Sequence, residues 1–133
     1  MRAPGPPTVA ACAAMLLRVR MRLKLRGFGP SVSWARRAAA GRGPRAPVDG
    51  GMVERTAYRV AVAAAFFPGR AVCLEQSLAL YVLLRRRGVP AELALGVQPY
   101  PFTAHAWVEV DGEPVNEDRE TVDKFQRMPE AAA

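Results

Sequence analysis

The stretch that decides the fold runs Cys73-Leu74-Glu75-Gln76-Ser77-Leu78-Ala79-Leu80-Tyr81-Val82-Leu83-Leu84-Arg85-Arg86-Arg87-Gly88-Val89-Pro90. Leu74, Leu78, Tyr81 and Val82 recur at helical spacing, and Leu80 and Leu83 widen the apolar stripe, so the helix is expected to be well buried. Three arginines fall in its last turn, where cations suit the helix dipole. Gly88 is a suitable C′ residue and Pro90 forbids continuation. Upstream, Pro68 and Gly69 break whatever precedes, so Cys73 is predicted at the helix start.

Working outward, Ala91 to Val97 alternates as a strand and Gln98 to Thr103, with two prolines, reads as a loop. Ala104 to Val110 alternates again, with Ala104, Ala106, Val108 and Val110 on one face and His105, Trp107 and Glu109 on the other. Asp111-Gly112 is a strong hairpin signal, and Glu113 to Asn116 reads as the returning strand. If the helix packs on this sheet, His105 can face its start.

Cysteine at a helix start and histidine on a neighbouring strand suggest thiol chemistry. A thiolate is the nucleophile, and a helix N-terminus favours an anion. An imidazole takes the proton and returns it to a leaving amine. The helix-start N–H groups, including that of Leu74, can hold an oxyanion, and Trp107 can wall a substrate groove. A third polar group would orient the ring. Asn116, Glu117 and Asp118 all lie where the hairpin returns past His105, and periodicity alone does not choose among them, because a bulge flips the faces. A lone cysteine is most often a small hydrophobe and a lone histidine most often a hydrogen-bonded structural residue, so the pair by itself has low specificity.

Several motifs in order carry more weight. Cys73-Leu74-x-x-Ser77-Leu78-Ala79-Leu80, Leu83-Leu84-Arg85-Arg86-Arg87-Gly88, Gly96-Val97 and Pro101-Phe102-x-Ala104-His105-Ala106-Trp107-Val108-Glu109 together resemble the lasso-peptide leader peptidases, transglutaminase-like cysteine proteases. The resemblance spans about Pro68 to Glu117. It implies an α+β fold with a transglutaminase-like or papain-like core, in which the Cys73 helix packs on a small antiparallel sheet bearing His105. It also implies removal of the leader from a ribosomally made precursor peptide, with Cys73 as nucleophile and His105 as base. The family's aspartate falls on or near the position of Glu117; Asn116 is the alternative, as an amide orients the ring in papain-like proteases. Implied partners are the precursor peptide, a separate leader-recognition protein and a lasso cyclase acting afterwards. The stand-alone peptidase form is expected, because no leader-binding domain fits ahead of residue 68.

The chain has 133 residues, half of them apolar, which fits one globular domain. We divide it into a basic, mostly helical N-terminal extension over 1–50 and a peptidase core over 51–133. Residues 1–59 carry 12 Arg/Lys against 2 Asp/Glu, and the remainder 7 against 10. A basic half invites a nucleic-acid reading, but no aromatic stacking platform or recognition motif accompanies it. The basic surface suits an acidic peptide or partner equally well. From Leu17 to Arg26 apolar and basic residues alternate strictly, which is strand periodicity, although leucine and arginine are good helix formers. Gly27 to Pro30 reads as a break, Ser33 to Ala40 as a short helix capped by Ser31 or Ser33, and Gly41 to Gly51 as a loop. Met52 to Phe67 reads as a helix, and so does Val122 to Met128, with Pro129 to Ala133 expected to fray.

Cys12 and Cys73 lie in unlike contexts with no C-x-x-C or histidine cluster, which argues against a zinc site and fits a reducing cytoplasm. No cofactor is expected, and no phosphate-cradling glycine motif is present. The apolar run Val9 to Leu17 is too short to span a bilayer and ends in arginines rather than a cleavage site, so neither a signal peptide nor a membrane segment is expected. Two rival functions remain at this level: acyl transfer to an amine rather than water, and a non-catalytic basic scaffold.

Overall fold

A computed structural model describes residues 5–39, 50–67, 73–99 and 102–128. Four helices, α1 (Val9–Arg26), α2 (Phe28–Ala39), α3 (Gly50–Ala65) and α4 (Cys73–Arg86), precede a hairpin of β1 (Ala91–Pro99) and β2 (Phe102–Val110). The short elements β3 (Glu113–Pro114), α5 (Arg119–Val122) and β4 (Gln126–Arg127) complete an antiparallel sheet ordered β3-β2-β1-β4. The fold is α+β.

Helix α4 is the centre of the molecule. Residues 77–84 are all buried, because α1, α2 and α3 pack around it and the sheet closes the remaining side. A helix apolar on every side needs such a jacket. Its end follows the sequence: Val89 N–H donates to Leu84 O, Gly88 N–H donates to Arg85 O, and Gly88 has φ 82°. These are the paired bonds of a Schellman stop, which require a left-handed residue at Gly88. The β2–β3 turn likewise has positive φ at both central residues, Asp111 (53°) and Gly112 (80°), the geometry whose twist matches antiparallel strands.

Helix α1 overrides the alternation of residues 17–26. Thr8 caps it by accepting the Ala11 N–H at 3.1 Å, and Cys12, Met15, Leu16 and Val19 are buried at helical spacing. An alternating sequence wound into a helix places apolar groups on all sides, so Leu17, Met21 and Leu25 are left exposed. Arg20, on the same helix, reaches α4 and pairs with the buried Glu75 at 2.7 Å.

Other boundaries also differ from the sequence reading. The break before α2 is Gly27 alone; the helix begins at Phe28, and Pro30 occupies its first turn, where a missing N–H costs nothing. Ser31 and Ser33 are therefore inside the helix rather than caps. The predicted third helix starts two residues earlier, at Gly50. The strands extend beyond their predicted ends, to Pro99 and from Phe102. The returning strand stops at Pro114, since proline offers no N–H to continue the ladder. The predicted final helix is replaced by one turn at Arg119–Val122, capped by Asp118, and by β4 pairing with β1. The expectations for Pro68-Gly69, for most of the 41–51 loop and for the chain end after Met128 lie outside the described residues.

Candidate active site

The sheet uses its two faces for different tasks. Ala91, Leu93, Val108 and Val110 join the helical core, whereas Ala94 and Trp107 pack with Val122 and Phe125 on the other face. His105 shares the Trp107 face, as its alternation requires. Helix α4 packs on the sheet, as expected, and does so on the face opposite His105.

His105 and Cys73 nonetheless line one cavity of about 230 Å³, at the end of β2 where the start of α4 meets the sheet. Leu74, Leu95, Gly96, Ala104 and Ala106 form its walls, together with Phe28 and Met128. Among the described residues of these walls, the thiol and the imidazole are the only polar side chains. Cys73 is partly exposed, while Cys12 is fully buried in the helical core. Burial pushes the Cys12 thiol above its ordinary value, with Arg87 and Arg59 opposing that shift.

The three candidates for orienting the ring are separated by their partners. Glu117 Oε2 lies 2.7 Å from His105 Nε2. A carboxylate only accepts, so Nε2–H donates, and in the neutral ring Nδ1 keeps the lone pair. Asn116 turns the other way: its Oδ1 accepts the Val108 N–H at 2.9 Å, and its Nδ2 donates to Ser77 Oγ at 3.0 Å. Asp118 caps α5 by accepting the Thr121 N–H at 2.7 Å, and that bond holds its carboxyl below the usual range.

Ser77 completes a clamp. Its hydroxyl donates to Ala106 O at 2.9 Å while accepting from Asn116. One turn past Cys73, a fully buried side chain thus ties α4 to the residue next to His105.

Trp107 does not line the cavity; its ring is 1% exposed and backs His105 from beneath. The His105 ring stacks on Phe125 at 5.3 Å and lies 6.0 Å from Trp107. The indole N–H donates to Glu109 at 2.8 Å, and Glu109 also pairs with Arg127 of β4. Gly96 stands opposite His105 in the ladder and leaves room for the Trp107 ring and the Phe125 Cβ. Phe28, Phe125 and Met128 were missed by the sequence reading: Phe28 belonged to an assigned break, and the other two to an assigned terminal helix. No local pattern distinguishes them; they meet the site through β4 and the α1–α2 turn.

The profile of the transglutaminase-like superfamily matches residues 15–130. The chain belongs to that superfamily. The match begins within α1, at residue 15, and takes in α2 as well as the segment from Cys73 to residue 130. Among curated proteins, the microcin J25-processing protein McjB of Escherichia coli is 40% identical over 58 residues, which are 44% of this chain and 28% of that relative. The aligned part is thus under a third of the relative's length. The processing role in that relative's name accords with the resemblance to leader peptidases. No solved structure matches significantly. Among the described residues of this transglutaminase-like chain there is no cluster of metal-ligating side chains, and no helix is long and apolar enough to cross a membrane.

Proposed function

We propose that the protein is a cysteine peptidase that removes the leader from a ribosomally synthesised precursor peptide in lasso-peptide biosynthesis. In this proposal it works with a separate leader-recognition protein and ahead of a cyclase. The observation that carries the reading is one cavity lined by Cys73 at a helix start and by His105, with Glu117 on the ring's Nε2. The superfamily match and the processing role of McjB support it.

The chemistry follows from the tautomer. With Nε2–H held by Glu117, Nδ1 receives the Cys73 proton, and Glu117 stabilises the imidazolium that results. The Cys73 thiolate attacks the scissile carbonyl carbon. The Leu74 N–H, to which the helix itself supplies no acceptor, holds the tetrahedral oxyanion. Collapse breaks the C–N bond, and the amine leaves with the proton from Nδ1. Water, deprotonated by the same nitrogen, then hydrolyses the thioester and regenerates the thiol.

Cys73→Ala and His105→Ala are each expected to abolish cleavage of a cognate precursor while leaving the melting temperature near that of the parent. Mass analysis of the products tells hydrolysis from transfer to an amine. Cleavage by either purified variant at the parent rate would falsify the assignment.

A further inference from the structure

Helix α1 has two apolar faces, and the packed molecule uses only one. Cys12, Met15, Leu16 and Val19 enter the core, while Leu17, Met21 and Leu25 remain 54%, 46% and 73% exposed. The exposed three are spaced four apart, so they form one row along the helix, about 12 Å long at 1.5 Å per residue. Arg18 and Lys24 flank the row, and Arg26 follows it; all three are exposed. The helix contains no acidic residue. Large apolar groups set in a row on a surface mark an interaction site more often than chance scatter does.

The row points toward the cavity end of the molecule. Ahead of α1, Gly5 O accepts from Arg87, just past the end of α4, whereas Arg20 pairs with Glu75 in the first turn of α4. Helix α1 therefore runs antiparallel to α4, and its C-terminal half lies at the Cys73 end. Three residues beyond Leu25, Phe28 is 43% exposed and lines the cavity.

Taking the proposed peptidase function as given, we infer that the outer face of α1 docks an acidic, amphipathic stretch of the precursor peptide, adjacent to the segment that enters the cavity. Leucine-like side chains three or four apart would cover Leu17, Met21 and Leu25, and carboxylates beside them would meet Arg18, Lys24 and Arg26. A second copy of the chain is disfavoured, because α1 against α1 brings arginine against arginine in a chain of net charge +7. A peptide is favoured over an anionic membrane by continuity: a chain held in the cavity already carries its flank past Phe28. Occupying both places at once raises the local concentration of the second segment.

The test uses the Cys73→Ala protein and fluorescein-labelled synthetic peptides, read by anisotropy. One peptide is helical with Leu every fourth position and Glu beside it; a second has the same composition scrambled; a third has Lys for Glu. The first should bind, more weakly at high salt, and roughly tenfold or more weakly to Leu17→Ser/Met21→Ser/Leu25→Ser and to Arg18→Gln/Lys24→Gln/Arg26→Gln. Thermal melts confirm that both variants fold, as expected for exposed positions. Equal affinity for the scrambled or Lys peptide, or unchanged affinity of either variant, overturns the inference. So does association with phosphatidylserine vesicles without peptide binding. Binding is read without cleavage, so a failure here leaves the peptidase reading standing, and a failure of cleavage leaves this result intact.

Discussion

Gly96→Ala is the sharpest test of how the site is built. A Cβ at Gly96 would lie 2.8 Å from Phe125 Cβ, 2.8 Å from Trp107 Cη2 and 3.0 Å from Trp107 Cζ3. Carbon atoms pack at about 3.5–4.0 Å, so each contact is short by roughly half an ångström or more. Neither neighbour yields readily: Trp107 is 1% exposed with its indole held by Glu109, and Phe125 Cβ moves only with its backbone. Overpacking of this kind costs about 1–3 kcal/mol. Replacing glycine restricts the unfolded chain and returns about 0.4–1 kcal/mol, which from the middle of each range leaves a net loss of about 1.3 kcal/mol. For a chain of 133 residues that lowers the melting temperature by about 3–7 °C. A calorimetric or circular-dichroism melt reads it. The sign is informative, because glycine inside a strand is a weak choice and strand propensity alone predicts stabilisation. A variant that melts at or above the parent temperature would refute the claim that Gly96 is there to admit the aromatic pair under His105.

Three further outcomes follow from the same geometry. Ser77→Ala leaves the Ala106 carbonyl and the Asn116 amide without their buried partner and should cost about 1–3 kcal/mol in a denaturant titration; no loss would mean that the clamp is idle. The Cys12 thiol is pushed up by burial, so it stays protonated in the folded protein where the unfolded chain ionises, above about pH 8.5; the stability advantage of the parent over Cys12→Ala should be constant below that pH and shrink as pH rises above it, and an advantage that grew instead would contradict the burial argument. Glu117→Gln keeps the shape but removes a charge-assisted bond worth about 1.5–3 kcal/mol, so cleavage should fall about 10–100-fold, whereas a parent-like rate would show that Glu117 does not orient His105.

What could be read from the sequence was local. The Cys73 helix, its stop at Gly88, both hairpin strands and the sorting of residues 104–110 between faces follow from short-range rules and are present in the structure. What failed depended on packing at a distance. The alternation of residues 17–26 mimics a strand, but Cys12, Met15, Leu16 and Val19 find a core at helical spacing, and that burial outweighs the pattern of the exposed positions. A helix was expected at the end because the residues from Val122 to Met128 permit one, yet the open edge of β1 at Gly96 and Val97 recruits Gln126 and Arg127 as a strand. Phe125 and Met128 enter the site through that exchange.

The identity of the residue on His105 shows the same division. Strict alternation along a returning strand would put Asn116 and Asp118 on one face and Glu117 on the other. The ladder ends at Pro114, and residues 115–117 bend instead. In the bend, the Val115 N–H still bonds Val108 O, and Asn116 is spent on Ser77 and the Val108 N–H. Glu117 is thereby released toward His105, and its second oxygen accepts the Asp118 N–H at 3.1 Å. Asp118 is committed in turn to the N-terminus of α5. Three adjacent polar residues thus point in three directions because each is claimed by a different element: α4 with β2, the imidazole, and α5. Glu117 is the one of the three whose carboxylate the bend leaves for the ring.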